Sequence, residues 1–246
     1  MRRYGLIGRP LGHSWSQQWF EEMFRREGIS DAEYRLCELP SLDGLRRWID
    51  DTRLLGFNVT IPYKEAVIPC LDDLDSTARA IGAVNCVEVR QGRLIGHNTD
   101  APAFRDTLRP LLLPCHTSAL ILGTGGAAKA VARALRSLGI DSAFVSRHPE
   151  AHPGSISYAE AESLLPQRLI LINATPVGMH PAESLTPWPR TGAIGPQHIC
   201  YDLIYNPPKT RFLQEAEARG ARTANGLAML QRQALLSWQL WNLPPR

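Results

Sequence analysis

With 246 residues the chain is long enough for one large domain or two ordinary ones, and for a full apolar core in either case. Hydrophobic residues make up 44% and charged residues 21%, and no stretch reaches the roughly 18 apolar residues a membrane-spanning helix needs, so a membrane partner is not expected. A net charge of +3 and a pI near 8.7, with acidic residues among the basic ones, argue against a nucleic-acid partner and permit a small anionic substrate.

Strand-like runs at Tyr4 to Gly8, Tyr34 to Leu39 and Phe57 to Ile61 alternate with helix-like stretches, one of which puts Phe20, Met23 and Phe24 on a single face. This βαβ rhythm predicts an α/β unit. Ser14 and Ser16 stand at the entrance to that helix, where hydroxyls beside free N–H groups suit a carboxylate. Ser14 with Gln17 is equally the spacing of a capping box. In the run Phe57 to Ile61, Asn58 and Thr60 point to one side and Phe57, Val59 and Ile61 to the other. Pro62 ends the strand and Lys64 opens the next helix, which sets an amine beside a row of amide and hydroxyl groups. Asn85 to Arg90 and Arg93 to His97, joined by Gln91 and Gly92, predict a hairpin that closes this unit near residue 100. Asn85 and the run Asn98, Thr99, Asp100 add hydrogen-bonding groups at segment ends, where α/β proteins gather ligands.

A second rhythm starts at the apolar strand Ser118 to Leu122 and runs into Gly123, Thr124, Gly125, Gly126, Ala127 and Ala128, a GxGxxA pattern. In the helix that follows, Ala127, Val131, Leu135 and Leu138 take one face and Lys129, Arg133 and Arg136 the other. Glycines at a strand-to-helix turn let a pyrophosphate approach the helix N-terminus. The plainer reading is a tight turn with no ligand. The strand Ala143 to Ser146 ends on Ser146, Arg147 and His148, where an NAD site carries Asp or Glu for the ribose hydroxyls. A guanidinium there pairs with a 2′-phosphate and favours NADP over NAD, unless Arg147 is simply a solvated loop residue. Further strand-like runs follow at Leu169 to Ile172 and Ile199 to Ile204. Leu227 to Trp241 reads as an amphipathic helix that returns to the first unit, with Gln233 on the apolar stripe of Met229, Leu236 and Leu240. Five cysteines without a CxxC pair and seven histidines without an HExxH pattern predict neither a disulfide framework nor a metal site, and a reducing cytoplasm.

The segments YGLIGRPLGHSWS, GFNVTIPYKEA, IGAVN, GHNTD, GTGGAAKA, NATPVGM, YDLIYNP and NGLAMLQRQA span nearly the whole chain. In kind and order they resemble the shikimate dehydrogenases. The resemblance implies two α/β domains with an active-site cleft between them: a substrate domain over 1–100, completed by a C-terminal helix over 226–246, and a Rossmann-like NADP-binding domain over 101–225. It implies Lys64 and Asp100 as the catalytic pair, and Ser14, Ser16, Asn58, Thr60, Asn85, Tyr205 and Gln233 as substrate contacts. Gly123, Thr124, Gly125, Gly126 and Ala127 would meet the pyrophosphate, Ser146 and Arg147 the adenosine phosphate, and Leu203 and Gly226 the nicotinamide. The chemistry implied is NADPH-dependent reduction of 3-dehydroshikimate to shikimate by a monomer or homodimer. Trp15, Gln17 and the SRH segment depart from the commoner family pattern. A quinate or dual-substrate dehydrogenase is the nearest alternative, and an NADP-sensing regulatory protein is a non-enzymatic one, against which the presence of both Lys64 and Asp100 argues.

Overall fold

Apolar runs form the strands, and the computed structural model describes residues 1–12, 14–188 and 191–242. His13 of the serine motif and residues 243–246, the end of the expected C-terminal helix, lie outside the described residues. In chain order the first part carries β1 (Arg2–Gly8), α1 (Ser16–Arg26), β2 (Ala32–Glu38), α2 (Leu45–Thr52), β3 (Leu54–Val59), α3 (Tyr63–Ala66), β4 (Asp73–Leu74), α4 (Ser76–Ile81), β5 (Cys86–Arg90) and β6 (Arg93–His97). The second carries α5 (Asp100–Leu108), β7 (Ser118–Leu122), α6 (Gly126–Ser137), β8 (Asp141–Val145), β9 (Ser155–Ile156), α7 (Tyr158–Leu164), β10 (Ile170–Asn173), β11 (Ile199–Asp202), α8 (Arg211–Glu217) and β12 (Arg222–Ala224), and α9 (Leu227–Trp241) ends the described chain. Among the described residues no helix is long and apolar enough to cross a membrane.

The chain divides into two compact units, Met1–Asp100 with Gln231–Arg246, and Ala101–Leu230. The dividing line falls inside α9. In the first unit the strand order is β2-β1-β3-β5-β6-β4, parallel across β2, β1 and β3 and antiparallel from β3 through β5 to β6. Strand alternation sends Ile7, Phe57 and Val59 into one core with Leu45 and Ile49 of α2. Tyr4, Leu6, Tyr34 and Cys86 go to another core with Phe20, Met23 and Phe24 of α1 and Ala234 and Trp241 of α9. Gly56 makes that second contact close, because a Cβ there would stand 2.3 Å from the Trp241 indole. Trp241 Nε1 donates to the Val87 carbonyl at 3.0 Å, so the helix is held by a hydrogen bond as well as by stacking on Tyr4.

Two sequence expectations shift. The third strand runs Leu54–Val59, not Phe57 to Ile61, since Tyr63 N donates to the Thr60 carbonyl at 2.9 Å and turns the chain into α3. Ile61, expected on the core side, is 68% exposed. On α9 the buried positions are Met229, as expected, with Gln233, Ala234, Ser237 and Trp241, while Leu236 and Leu240 are half-buried. The helix turns polar groups inward because the sheet beneath presents Asn58 and Asn85 to it.

The second unit is a parallel sheet in the order β12-β11-β10-β7-β8-β9. Counted within the unit this is the doubly wound 3-2-1-4-5-6 order, whose topological switch point lies between β7 and β10. The helix α6 buries Ala128, Ala130, Val131, Ala134 and Leu135. Ala127 and Leu138, expected on that face, are only half-buried, because the small residues bring the helix in along a neighbouring stripe.

Candidate active site

The turn after β3 places Lys64 in the first turn of α3, and β6 delivers Asp100 to the start of α5. Though 36 residues apart, Lys64 Nζ and Asp100 Oδ2 lie 2.6 Å from each other, with side chains 18% and 8% exposed. Asn85 Nδ2 donates to Asp100 Oδ1 at 2.8 Å and to Thr99 Oγ1 at 2.9 Å, and has Gln233 Oε1 at 3.4 Å. One amide nitrogen carries two hydrogens, so the long contact to Gln233 is the weakest of the three. Thr99 N fixes the other end of the amide by donating to Asn85 Oδ1 at 2.7 Å. Asn58 is also buried, its Nδ2 donating to the Asn85 carbonyl at 3.1 Å and to Ser237 Oγ at 2.9 Å, while Tyr34 Oη donates to Asn58 Oδ1 at 2.9 Å. Burial pushes the Tyr34 hydroxyl well above the usual tyrosine range, which keeps it a donor.

Thr60 stands just past the strand end against Gly8, where a Cβ would meet its Cγ2 at 2.3 Å. At the start of α1 the capping-box reading fails: the N-cap position is Trp15, and Gln17 Nε2 donates to Glu21 Oε1 at 2.7 Å instead. Ser14 Oγ accepts from Ser16 N at 3.3 Å. Tyr205 belongs to the second unit, half-buried beyond β11.

At the switch point of the second unit, Gly123 has φ +105°, and a Cβ there would lie 3.0 Å from Thr175 Cγ2. Gly125 is the N-cap of α6 and makes no side-chain cap, and a Cβ on it would meet nothing within 4 Å. An uncapped helix N-terminus behind an open cradle fits a pyrophosphate. Ser146 Oγ accepts from His148 N at 3.0 Å, and Arg147 is exposed with no carboxylate partner among the described residues, which leaves its guanidinium for a phosphate. Leu203 and Gly226 touch, since a Cβ on Gly226 would fall 1.9 Å from the Leu203 carbonyl oxygen.

A family model described as the shikimate dehydrogenase substrate binding domain matches residues 6–87. A Geobacillus kaustophilus protein named shikimate dehydrogenase (NADP(+)) is 40% identical over 256 residues, covering 97% of this chain and 91% of its own. The chain belongs to the shikimate dehydrogenase family. Among solved structures, shikimate 5-dehydrogenase from Thermus thermophilus in complex with NADP(H) and shikimate superposes with a TM-score of 0.84 at 34% identity, covering 100% of this chain and 95% of that one. A 5-ketofructose reductase from Gluconobacter, in its ligand-free form, superposes with a TM-score of 0.81 at 32% identity over 98% and 92% of the two chains.

Sequence reasoning passed over Tyr34 and Ser237, although Ser237 stands one helical turn after Gln233 and so shares its face. It also passed over the polar brace of the second unit. There Asp202, fully buried at the end of β11, accepts from Thr210 Oγ1 at 2.6 Å, Asn173 Nδ2 at 2.9 Å and Ile204 N at 3.0 Å. Asn173 Oδ1 in turn accepts from Thr175 Oγ1 at 2.7 Å, and Thr175 is the residue that abuts Gly123. The signal lay in the segments NATPVGM and YDLIYNP, each a polar group closing an apolar strand.

Burial pushes the Asp202 carboxyl up to about 6 against the pull of those donors. From the ordinary value of 3.8 up to about 6 the folded chain keeps a proton that the unfolded chain releases. The stabilising contribution is therefore complete below the lower value and lost as the pH rises through the upper one. Measured against Asp202→Asn by urea unfolding, the parent should lose up to about 3 kcal/mol of relative stability between about pH 4 and about pH 7. A difference that does not vary with pH would contradict this account.

Proposed function

We propose that the chain catalyses the reversible, NADP-dependent reduction of 3-dehydroshikimate to shikimate. The observation that carries this reading is the Lys64 and Asp100 pair, 2.6 Å apart and shielded from water, in a member of this family. When bound, NADPH supplies the hydride that reaches the ring carbon, and NADP+ takes it back in the reverse direction. The chain's own residues handle the proton and the pose. Lys64 Nζ has three hydrogens, one of which goes to Asp100, so the amine retains hydrogens for the substrate oxygen and exchanges the reacting proton with it. Asp100 holds the ammonium in place and is itself held by Asn85. Gln233, with its Oε1 3.4 Å from Asn85 Nδ2, suits a ring hydroxyl together with Thr60, the Asn85 amide and Asn58. Ser14 and Ser16 suit the carboxylate. On the cofactor side Gly123 to Ala127 suit the pyrophosphate, Ser146 and Arg147 the 2′-phosphate, and Leu203 and Gly226 the nicotinamide. We assign residues 1–100 with the C-terminal helix to the substrate and residues 101–225 to the dinucleotide. The described cysteines, all free, suit the reducing cytoplasm in which we place the chain.

The test is the absorbance of reduced nicotinamide with shikimate, quinate or 5-ketofructose as substrate and with each of the two nicotinamide cofactors. Turnover is expected with shikimate and NADP+, and Arg147→Ala should raise KM for NADP+ by about tenfold or more while leaving NAD+ nearly untouched, since only one of the two carries the 2′-phosphate. Preferred turnover of quinate would move the reading to the dual-substrate alternative. Tight NADP+ binding with no turnover of any substrate would favour the sensing protein.

A further inference from the structure

We propose that Ser237, in α9, is a positioning residue for this reaction. The inference rests on the reading of Lys64, Asp100 and Asn85 given above. Ser237 is fully buried and 4 residues from Gln233, whose backbone carbonyl accepts its hydroxyl proton at 2.9 Å. With that proton committed, the oxygen has two lone pairs left, and both are taken. Asn58 Nδ2 donates to one at 2.9 Å. Thr99 Oγ1 lies 3.3 Å away, and because the Ser237 proton is used elsewhere, the Thr99 hydroxyl is the donor in that contact. A donating Thr99 hydroxyl turns its own lone pairs toward Asn85 Nδ2, which bonds it at 2.9 Å. The second hydrogen of the same amide nitrogen then points at Asp100 Oδ1 at 2.8 Å, and Asp100 Oδ2 receives Lys64.

The direction of the Thr99 hydroxyl, the one ambiguous link between α9 and the Lys64 and Asp100 pair, thus follows from a Ser237 hydroxyl whose proton is already used. Removing it leaves the Thr99 proton without its acceptor and frees that hydroxyl to rotate and donate elsewhere. The Asn85 amide is still oriented by Thr99 N at its oxygen, but the hydrogen that faced the Thr99 hydroxyl loses a fixed acceptor and is drawn toward Gln233 Oε1, which loosens the hold on Asp100. Asn58 meanwhile keeps its bond to the Asn85 carbonyl, so the backbone register of β3 and β5 does not depend on Ser237.

The test is steady-state kinetics of Ser237→Ala, Thr99→Val and the double variant, with melting temperatures, beside the parent and Ser237→Cys. Ser237→Ala should lower kcat with shikimate by about tenfold through misplacement of Asp100. KM for NADP+ should stay within about twofold, because the cofactor groups lie outside this network. Thr99→Val should lower kcat to a similar extent, and the double variant should be no worse than either single one, as expected of two links in one chain. Ser237→Cys, which keeps a weak donor and acceptor, should fall between Ala and the parent. Parental kcat in Ser237→Ala, or strictly additive losses in the double variant, would overturn the proposal while leaving the reaction assignment intact. If Ser237→Ala does not fold, a parental kcat in Ser237→Cys overturns it equally. A parent that does not turn over shikimate at all would remove the reaction assignment and this proposal together.

Discussion

Replacing Lys64 with alanine is expected to lower kcat for shikimate oxidation by about 10³-fold, with KM for shikimate changed much less, because a proton-transfer group acting in the transition state is lost. The ammonium leaves behind an Asp100 carboxylate that still accepts from Asn85 at 2.8 Å, so the carboxylate is not orphaned and the fold should survive. Circular dichroism and the melting temperature check that point, and stopped-flow single turnover separates chemistry from product release. A Lys64→Ala enzyme with near-parental kcat would take the lysine out of the reaction. Asp100→Asn makes a useful companion, since it keeps the contact shape while removing the charge that holds the ammonium.

The second large effect is expected at Gly226. A methyl group there would sit 1.9 Å from the Leu203 carbonyl oxygen and 2.5 Å from its carbon, and both neighbours are backbone, which cannot swing aside. Gly226 N donates to the Ile204 carbonyl at 3.0 Å, and the Gly226 carbonyl accepts from Leu230 N at 2.9 Å in the first turn of α9, so displacement breaks hydrogen bonds on both sides. Gly226→Ala should cost about 3 kcal/mol or more and weaken NADP+ binding by at least about tenfold. Gly125→Ala is the matched contrast. Its Cβ would enter open space, so the melting temperature should hold while NADP+ affinity falls, because the methyl occupies the volume assigned to the pyrophosphate. Calorimetric titration with NADP+ beside thermal unfolding reads both effects. A stable Gly226→Ala variant, or unchanged NADP+ affinity in Gly125→Ala, would count against the backbone account in the first case and the cofactor assignment in the second.

Much of this is legible in the sequence. The strand Ser118–Leu122, the glycine turn after it, the β5 and β6 hairpin and the helix Leu227–Trp241 all announce themselves through local patterns: apolar period, glycine at a strand end, a two-residue Gln91 and Gly92 turn. These signals are local because the backbone geometry that produces them repeats within a few residues. The misplaced edges have an equally local origin. Ile61 alternates correctly with Phe57 and Val59, but one hydrogen bond from Tyr63 to Thr60 ends the strand first.

Composition, periodicity and the glycine pattern by themselves determined that this chain is α/β, that it holds two such units, and that Lys64, Asn85 and Asp100 stand at the ends of structured segments. The resemblance paired Lys64 with Asp100, and tertiary structure supplied their contact; it alone decided that α9 turns Gln233 and Ser237 inward to Asn85 and Asn58, and that Asn173, Asp202 and Thr210 brace one another beneath the Gly123 turn. The physical reason is range. A repeat of two or 3.6 residues is dictated by bonds within one segment, whereas a side-chain hydrogen bond across 36 or 179 positions exists only after the order of strands in the sheet has brought its two ends together.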